Sequence, residues 1–209
     1  MGLERYKKYF KKFSKNKIIV GLTGNIGSGK SSVLNIFKEL SFFTISSDEI
    51  VKEILTKKEI CDKIIKRYHS VKDKGSRIDK GKLAKLLFRN ERAKNFVENL
   101  LHPLVIKEII KRIKESEGSV VIVEVPLLFE KNLESFFDLI ICVIAKDKIR
   151  MKRLSKRGMK KNDIKQREKN QFDQKFKIKH SDIIIDNSSS YEALKEKVLV
   201  IYKLIKKLT

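Results

Sequence analysis

The stretch that most constrains this chain runs over residues 18–40, IIVGLTGNIGSGKSSVLNIFKEL, where an apolar β-branched run enters a glycine-rich turn and then an amphipathic segment. Gly24, Gly29, Lys30 and Ser31 stand at the spacing G-x-x-x-x-G-K-[ST], that of a phosphate-binding loop. Glycines let consecutive backbone N–H groups turn inward around phosphate oxygens, and Lys30 adds a point charge for the outer phosphates. Ser31 offers a hydroxyl to Mg²⁺. The flanks agree. Residues 18–22 read as a buried strand, and Val33, Ile36, Phe37 and Leu40 recur at helical spacing, so the loop opens a helix whose dipole favours anions. The loop by itself does not separate kinases from GTPases, motors or nucleic-acid remodelling ATPases.

At 209 residues the chain is long enough for one well-buried core with small insertions and short for two full domains. No apolar run approaches the eighteen or so residues of a membrane span. Residues 1–17 hold no apolar stretch of the signal-peptide kind, so a cytoplasmic protein without a transmembrane segment is expected. Cys61 and Cys142 are far apart and form no C-x-x-C pair, which suits a reducing compartment and argues against a disulfide framework or a thiolate zinc site. His69, His102 and His180 show no metal-ligand spacing either. The formal net charge of +23 raises the question of a polyanionic partner. Because the lysines are spread over nearly every segment, with no basic groove interleaved with aromatics, a solvated surface is expected and nucleic acid is not. A monomer is the expected state.

The pattern along the chain is that of an α/β fold of P-loop type: a parallel sheet between helical layers, with a helical insertion and a lid. Residues 1–17 form a basic extension with Leu3, Tyr6, Phe10 and Phe13 loosely on one helical face. Residues 42–45 make a second strand. Residues 46–49 resemble a capping box opening a helix, which puts Asp48 at the strand's C-terminal end, the edge where ligands gather in open α/β sheets. Residues 58–118 carry helical patterns broken at 70–77 and near Asn90, with Pro103 disturbing the last of them. The sheet resumes at 119–125 and 139–144, and Glu124 is the one acid in VVIVEVPLL. A carboxylate at the end of a buried strand needs a cation, which makes Glu124 a candidate for the Mg²⁺ side of a nucleotide site; a lysine would satisfy it equally. Residues 146–179 are strongly basic, with Arg150, Arg153, Arg157 and Arg167 suited to phosphoryl oxygens. A short strand at 183–185, Asp186-Asn187 and a helix over 191–208 close the chain. The domains expected are therefore the extension 1–17, a nucleotide-binding core of 18–57, 119–146 and 181–209, the insertion 58–118, and the lid 147–180.

The order GLTGNIGSGKSSV, SSDEIVKEI, RIDKGKLAKLLF, LLHPLV, VEVPLLFE, the arginine-bearing segment, Gln171 and SDIIIDN resembles the dephospho-coenzyme A kinase family from about residue 17 to the end. That resemblance implies transfer of the ATP γ-phosphoryl to the ribose 3′-hydroxyl of dephospho-coenzyme A, with Mg²⁺ as cofactor. It implies Asp48 as general base, and Lys30 with Arg153 or Arg157 on the phosphoryl group. Asn25, Ile26, Gly27, Ser28, Gly29, Lys30, Ser31, Ser32 and Asn187 would hold the nucleotide. Ser31 and Glu124 would face the metal. Asp48, Asp79, His102, Glu124 and Leu127 would face the coenzyme. Three positions depart from the family pattern: Ser46-Ser47-Asp48 replaces Asp-x-Asp, Lys80 replaces an arginine, and Asn25 replaces the second glycine of a Gly-Gly pair. A kinase for another small metabolite or nucleotide, or a P-loop NTPase that binds nucleic acid, are the alternative readings.

Overall fold

The computed structural model describes residues 16–209. The basic extension expected over 1–17 therefore lies, through residue 15, outside the described residues. The chain divides into two compact units, one made of residues up to Ser46 together with Arg112–Thr209, the other of Ser47–Lys111.

The first unit is built on five parallel strands: β1 (Ile18–Thr23), β2 (Phe43–Ser46), β3 (Val120–Glu124), β4 (Leu139–Ile144) and β5 (Ile183–Asp186). They lie in the order β2-β3-β1-β4-β5. β3 is buried at all five positions and β1 at five of six, the near-continuous apolar run of a parallel sheet covered on both faces. The pairing brings Leu22 and Ser46 opposite Glu124, Thr23 opposite Cys142 and Ile144 opposite Asp186. Every strand thus ends on the same edge, and the phosphate loop leaves from the end of β1.

One face of the sheet is covered by α1 (Lys30–Glu39) and by the chain's last helix, Tyr191–Lys206. Val33, Ile36 and Phe37 from α1 meet Leu194, Val198, Ile201 and Ile205 over Val20, Ile122, Ile141 and Val143. Each fully buried side chain of this kind contributes at most about 1.5–3 kcal/mol, so the i, i+3, i+4 spacing of these residues is what commits both helices to the sheet. The Lys17 ammonium ties the start of β1 to the Ile113 carbonyl at 3.0 Å and to Ser116.

The second unit holds α2 (Ser47–Ile54), α3 (Lys58–Arg67), α4 (Lys80–Arg89) and all but the last turn of α5 (Glu91–Glu115). Its division falls at Ser47 and Lys111, where the sequence pattern placed it at 58 and 118. α2 groups with the helices rather than with the sheet. Ser46, the last residue of β2 and paired with Glu124, directly precedes α2, but among the described residues its hydroxyl makes no bond to the Glu49 N–H, so the capping box expected at 46–49 is not formed. Pro103 does not break α5, which runs through it for 25 residues. Within this unit the Arg67 guanidinium lies 4.6 Å over the Phe96 ring, and Tyr68 meets the same ring edge-on.

Past β4 the basic segment forms α6 (Asp147–Lys156), α7 (Lys161–Lys169) and α8 (Gln174–Lys179), with α9 (Tyr191–Lys206) closing the chain. α6, α7 and α8 belong to the same compact unit as the sheet.

Candidate active site

The phosphate loop joins β1 to α1 over Gly24–Gly29, and two of its glycines are there for space as well as for conformation. Gly24 (φ 142°) would drive a Cβ into the Val143 carbonyl, and Gly29 (φ 95°), the N-cap of α1, would drive one into the Asn187 amide. We expect Gly24→Ala to lower stability by roughly 3 kcal/mol from overpacking and left-handed strain, or about 10 °C in Tm by thermal unfolding. An unchanged Tm would show that the β1–β4 neighbourhood yields.

Several polar groups of the loop lack a partner among the described residues. The Gly27 and Gly29 N–H groups donate to no described residue. Ser28 Oγ and Asn25 Oδ1 are buried without a partner among the described residues. Unpaired donors at the N-terminus of a ten-residue helix are what a phosphate group satisfies. Lys30 is buried, and its ammonium donates to the Gly24 carbonyl at 2.9 Å and the Asn25 carbonyl at 3.3 Å, so its charge stays over the loop.

Ser31 and Glu124 converge. The Ser31 hydroxyl lies 3.5 Å from Glu124 Oε1, at the C-terminal edge of β3. A hydroxyl and a carboxylate are hard oxygen donors, few in number, and they fit Mg²⁺, which takes one or two protein ligands and fills its octahedron with water and phosphate oxygens. Among the described residues no group of three or more His, Cys, Asp or Glu stands together.

Beside the loop, Asn187 is buried and donates its side-chain amide to the Ser28 carbonyl at 2.8 Å. Arg153 from α6 donates to the Ser28 carbonyl at 3.2 Å and to the Asn187 carbonyl at 2.9 Å. Burial, and then the neighbouring charge of Arg157, hold the Arg153 guanidinium below its ordinary value, a direction that favours an anion beside it. Gly29, Ser32, Arg153, Arg157, Asn187 and Tyr191 line a cleft of about 300 Å³. Ser32 and Ile26 are half-buried, and Ile26 is bound through its backbone.

Of the basic segment's other arginines, Arg150 faces inward. It is buried, pairs with Asp147 at 2.7 Å and Glu168 at 2.5 Å, and donates to the Ile26 carbonyl at 3.0 Å. By its letters it belongs with the arginines suited to phosphoryl oxygens. An arginine buried against carboxylates and a solvated one look alike in sequence, and only the fold separates them.

The acceptor-side candidates belong to both units: Asp48, Asp79 and His102 to the helical one, Leu127 to the sheet-bearing one. Asp48 is the second residue of α2, exposed, and its carboxylate bonds to no other described residue, so it does not cap the helix. Asp79 caps α4, accepting from the Lys82 N–H at 2.9 Å, and that bond holds its carboxyl below the usual range. Lys80, at the family's arginine position, is the exposed first residue of α4. His102 is half-buried on α5, and Leu127 is half-buried after β3. Cys142 is buried in β4, and burial pushes its thiol up to about 11, against the pull of the Lys177 and Lys30 charges. A thiol so protonated is a core residue, as its apolar strand suggested.

A family model described as dephospho-CoA kinase matches residues 18–193. The chain is 36% identical over 189 residues to the dephospho-CoA kinase of Carboxydothermus hydrogenoformans, covering 88% of this chain and 92% of that protein. Among solved structures, TT1252 from Thermus thermophilus superposes with a TM-score of 0.78 at 29% identity, covering 93% of this chain and all of that one. Dephospho-CoA kinase from Campylobacter jejuni gives 0.63 at 27% identity, over 90% of this chain and 97% of its own. The match takes in the phosphate loop, the helical unit and the basic segment together, and the chain belongs to the dephospho-CoA kinase family.

Proposed function

We infer that the protein is a dephospho-coenzyme A kinase, transferring the γ-phosphoryl of ATP to the ribose 3′-hydroxyl and releasing ADP and coenzyme A. The observation that carries this reading is the family match over residues 18–193, which spans the acceptor-side segments as well as the nucleotide loop. In the reaction the 3′-oxygen forms a bond to the γ-phosphorus while the bond from that phosphorus to the β,γ-bridging oxygen breaks. The hydroxyl proton passes to Asp48, whose exposed carboxylate has no other described partner. The Gly27 and Gly29 N–H groups and Lys30 hold the outer phosphates, and Arg153 and Arg157 take up charge on the group in transfer. Asn187 holds Ser28 and Arg153 in place on the nucleotide side. Asp79, His102 and Leu127 serve the coenzyme side. Ser31 and Glu124 hold Mg²⁺, which supplies charge neutralisation at the outer phosphate oxygens. The protein acts in the cytoplasm as a monomer.

The test is a coupled assay of ADP release with dephospho-coenzyme A, adenosine monophosphate, shikimate or single-stranded DNA as the added acceptor. Dephospho-coenzyme A is expected to raise the rate by a factor on the order of 10² or more over ATP alone. Stimulation by DNA, shikimate or the monophosphate, and not by dephospho-coenzyme A, would overturn the assignment.

A further inference from the structure

Two residues of the phosphate loop are held by a segment far away in sequence. The Ile26 N–H donates to Gln171 Oε1 at 2.9 Å, and the Asn25 side-chain amide donates to the Phe172 carbonyl at 3.0 Å. Phe172 is held in turn, because its N–H donates to Glu130 Oε1 at 2.7 Å. That same oxygen lies 2.9 Å from the ammonium of Lys177, which also donates to the Pro126 carbonyl at 3.1 Å. Lys177 is 0% exposed, and Glu130 Oε2 is buried without a partner among the described residues. All of these residues lie in the sheet-bearing unit.

A buried lysine–glutamate pair is a poor way to gain stability, since desolvation offsets most of the attraction and an apolar pair of similar volume does as well. This pair does something an apolar pair cannot. It presents an acceptor to the Phe172 N–H, and the Phe172 backbone passes that constraint across its Cα to Asn25 through its carbonyl. We propose that Glu130 is a positioning residue for the nucleotide: its carboxylate, kept in place by Lys177, fixes the Phe172 backbone, which holds the phosphate loop in its binding shape. The inference rests on the reading that this loop binds ATP.

The experiment titrates ADP, by calorimetry, into the full-length protein and three variants, with thermal unfolding alongside. E130L/K177M removes the pair and the acceptor, E130Q/K177M removes the charges but keeps an acceptor for Phe172, and E130Q keeps the acceptor while leaving Lys177 without its carboxylate. Both double variants are expected to keep similar Tm values. ADP affinity in E130Q/K177M should stay within about threefold of the unmodified protein, and in E130L/K177M it should fall about tenfold, the loss of roughly one hydrogen bond's constraint. E130Q alone should lose Tm while holding ADP affinity within about threefold, which keeps the proposal testable if E130L/K177M does not fold. Equal ADP affinity in the two double variants overturns the proposal, and so does a tenfold loss in E130Q. Failure of the unmodified protein to bind ADP would instead remove the nucleotide reading on which the proposal rests.

Discussion

Lys30→Met is expected to lower kcat/KM for ATP by a factor on the order of 10²–10³, the loss seen when one preorganised charge stabiliser is removed from a transition state. Methionine keeps the length and apolar stem of the buried lysine and deletes only the ammonium. That ammonium donates to the Gly24 and Asn25 carbonyls. Both carbonyls belong to the loop. The charge matters more to catalysis than to folding, because in phosphoryl transfer it spreads over oxygens that a fixed cation meets without rearrangement. Steady-state kinetics with ATP varied, beside a Tm within a few degrees of the unmodified protein, is the measurement. Turnover within about fivefold would mean that the loop's N–H groups and the arginines carry the charge by themselves.

Asp48→Asn is the second large effect. A general base contributes roughly 10²–10⁴-fold, and kcat is expected to fall within that range while ADP binding persists. Asp48 is exposed, and among the described residues it has no hydrogen-bond or ion-pair partner to lose. Stability should therefore change by no more than about 0.5 kcal/mol, as at ordinary surface positions. A large fall in kcat without a fall in Tm separates a chemical role from helix capping. Unchanged turnover would remove Asp48 from the mechanism.

The strand, glycine loop and helix of residues 18–40 were readable from the letters, and for a physical reason. A phosphate cradle is local. Strand, glycine turn and helix follow one another within residues 18–40, and the geometry that binds phosphate is set by backbone conformations only glycine adopts readily. The buried strands were readable too, since β4 spans Leu139–Ile144 as its apolar run indicates. The loop's supports were not readable. Lys177 stands in a run of lysines and Arg150 in a run of arginines and lysines, yet one is fully buried and the other nearly so. Their partners, Glu130 and Glu168, lie in segments with no periodicity to mark them as inward-facing. A charge looks the same in sequence whether it meets water or a carboxylate. The place where the sheet gives way to the helical unit was also obscure, because α2 follows β2 without a loop between Ser46 and Ser47.

Transfer of a phosphoryl group to one particular alcohol is read on the product. Dephospho-coenzyme A, ATP and the full-length protein are incubated to completion, ADP is counted against acceptor consumed, and the new phosphate is located by proton-coupled phosphorus NMR. One ADP per acceptor is expected, with a phosphomonoester coupled to the proton on the ribose 3′ carbon. ADP without a phosphorylated acceptor, or a phosphate at any other position, would contradict that transfer.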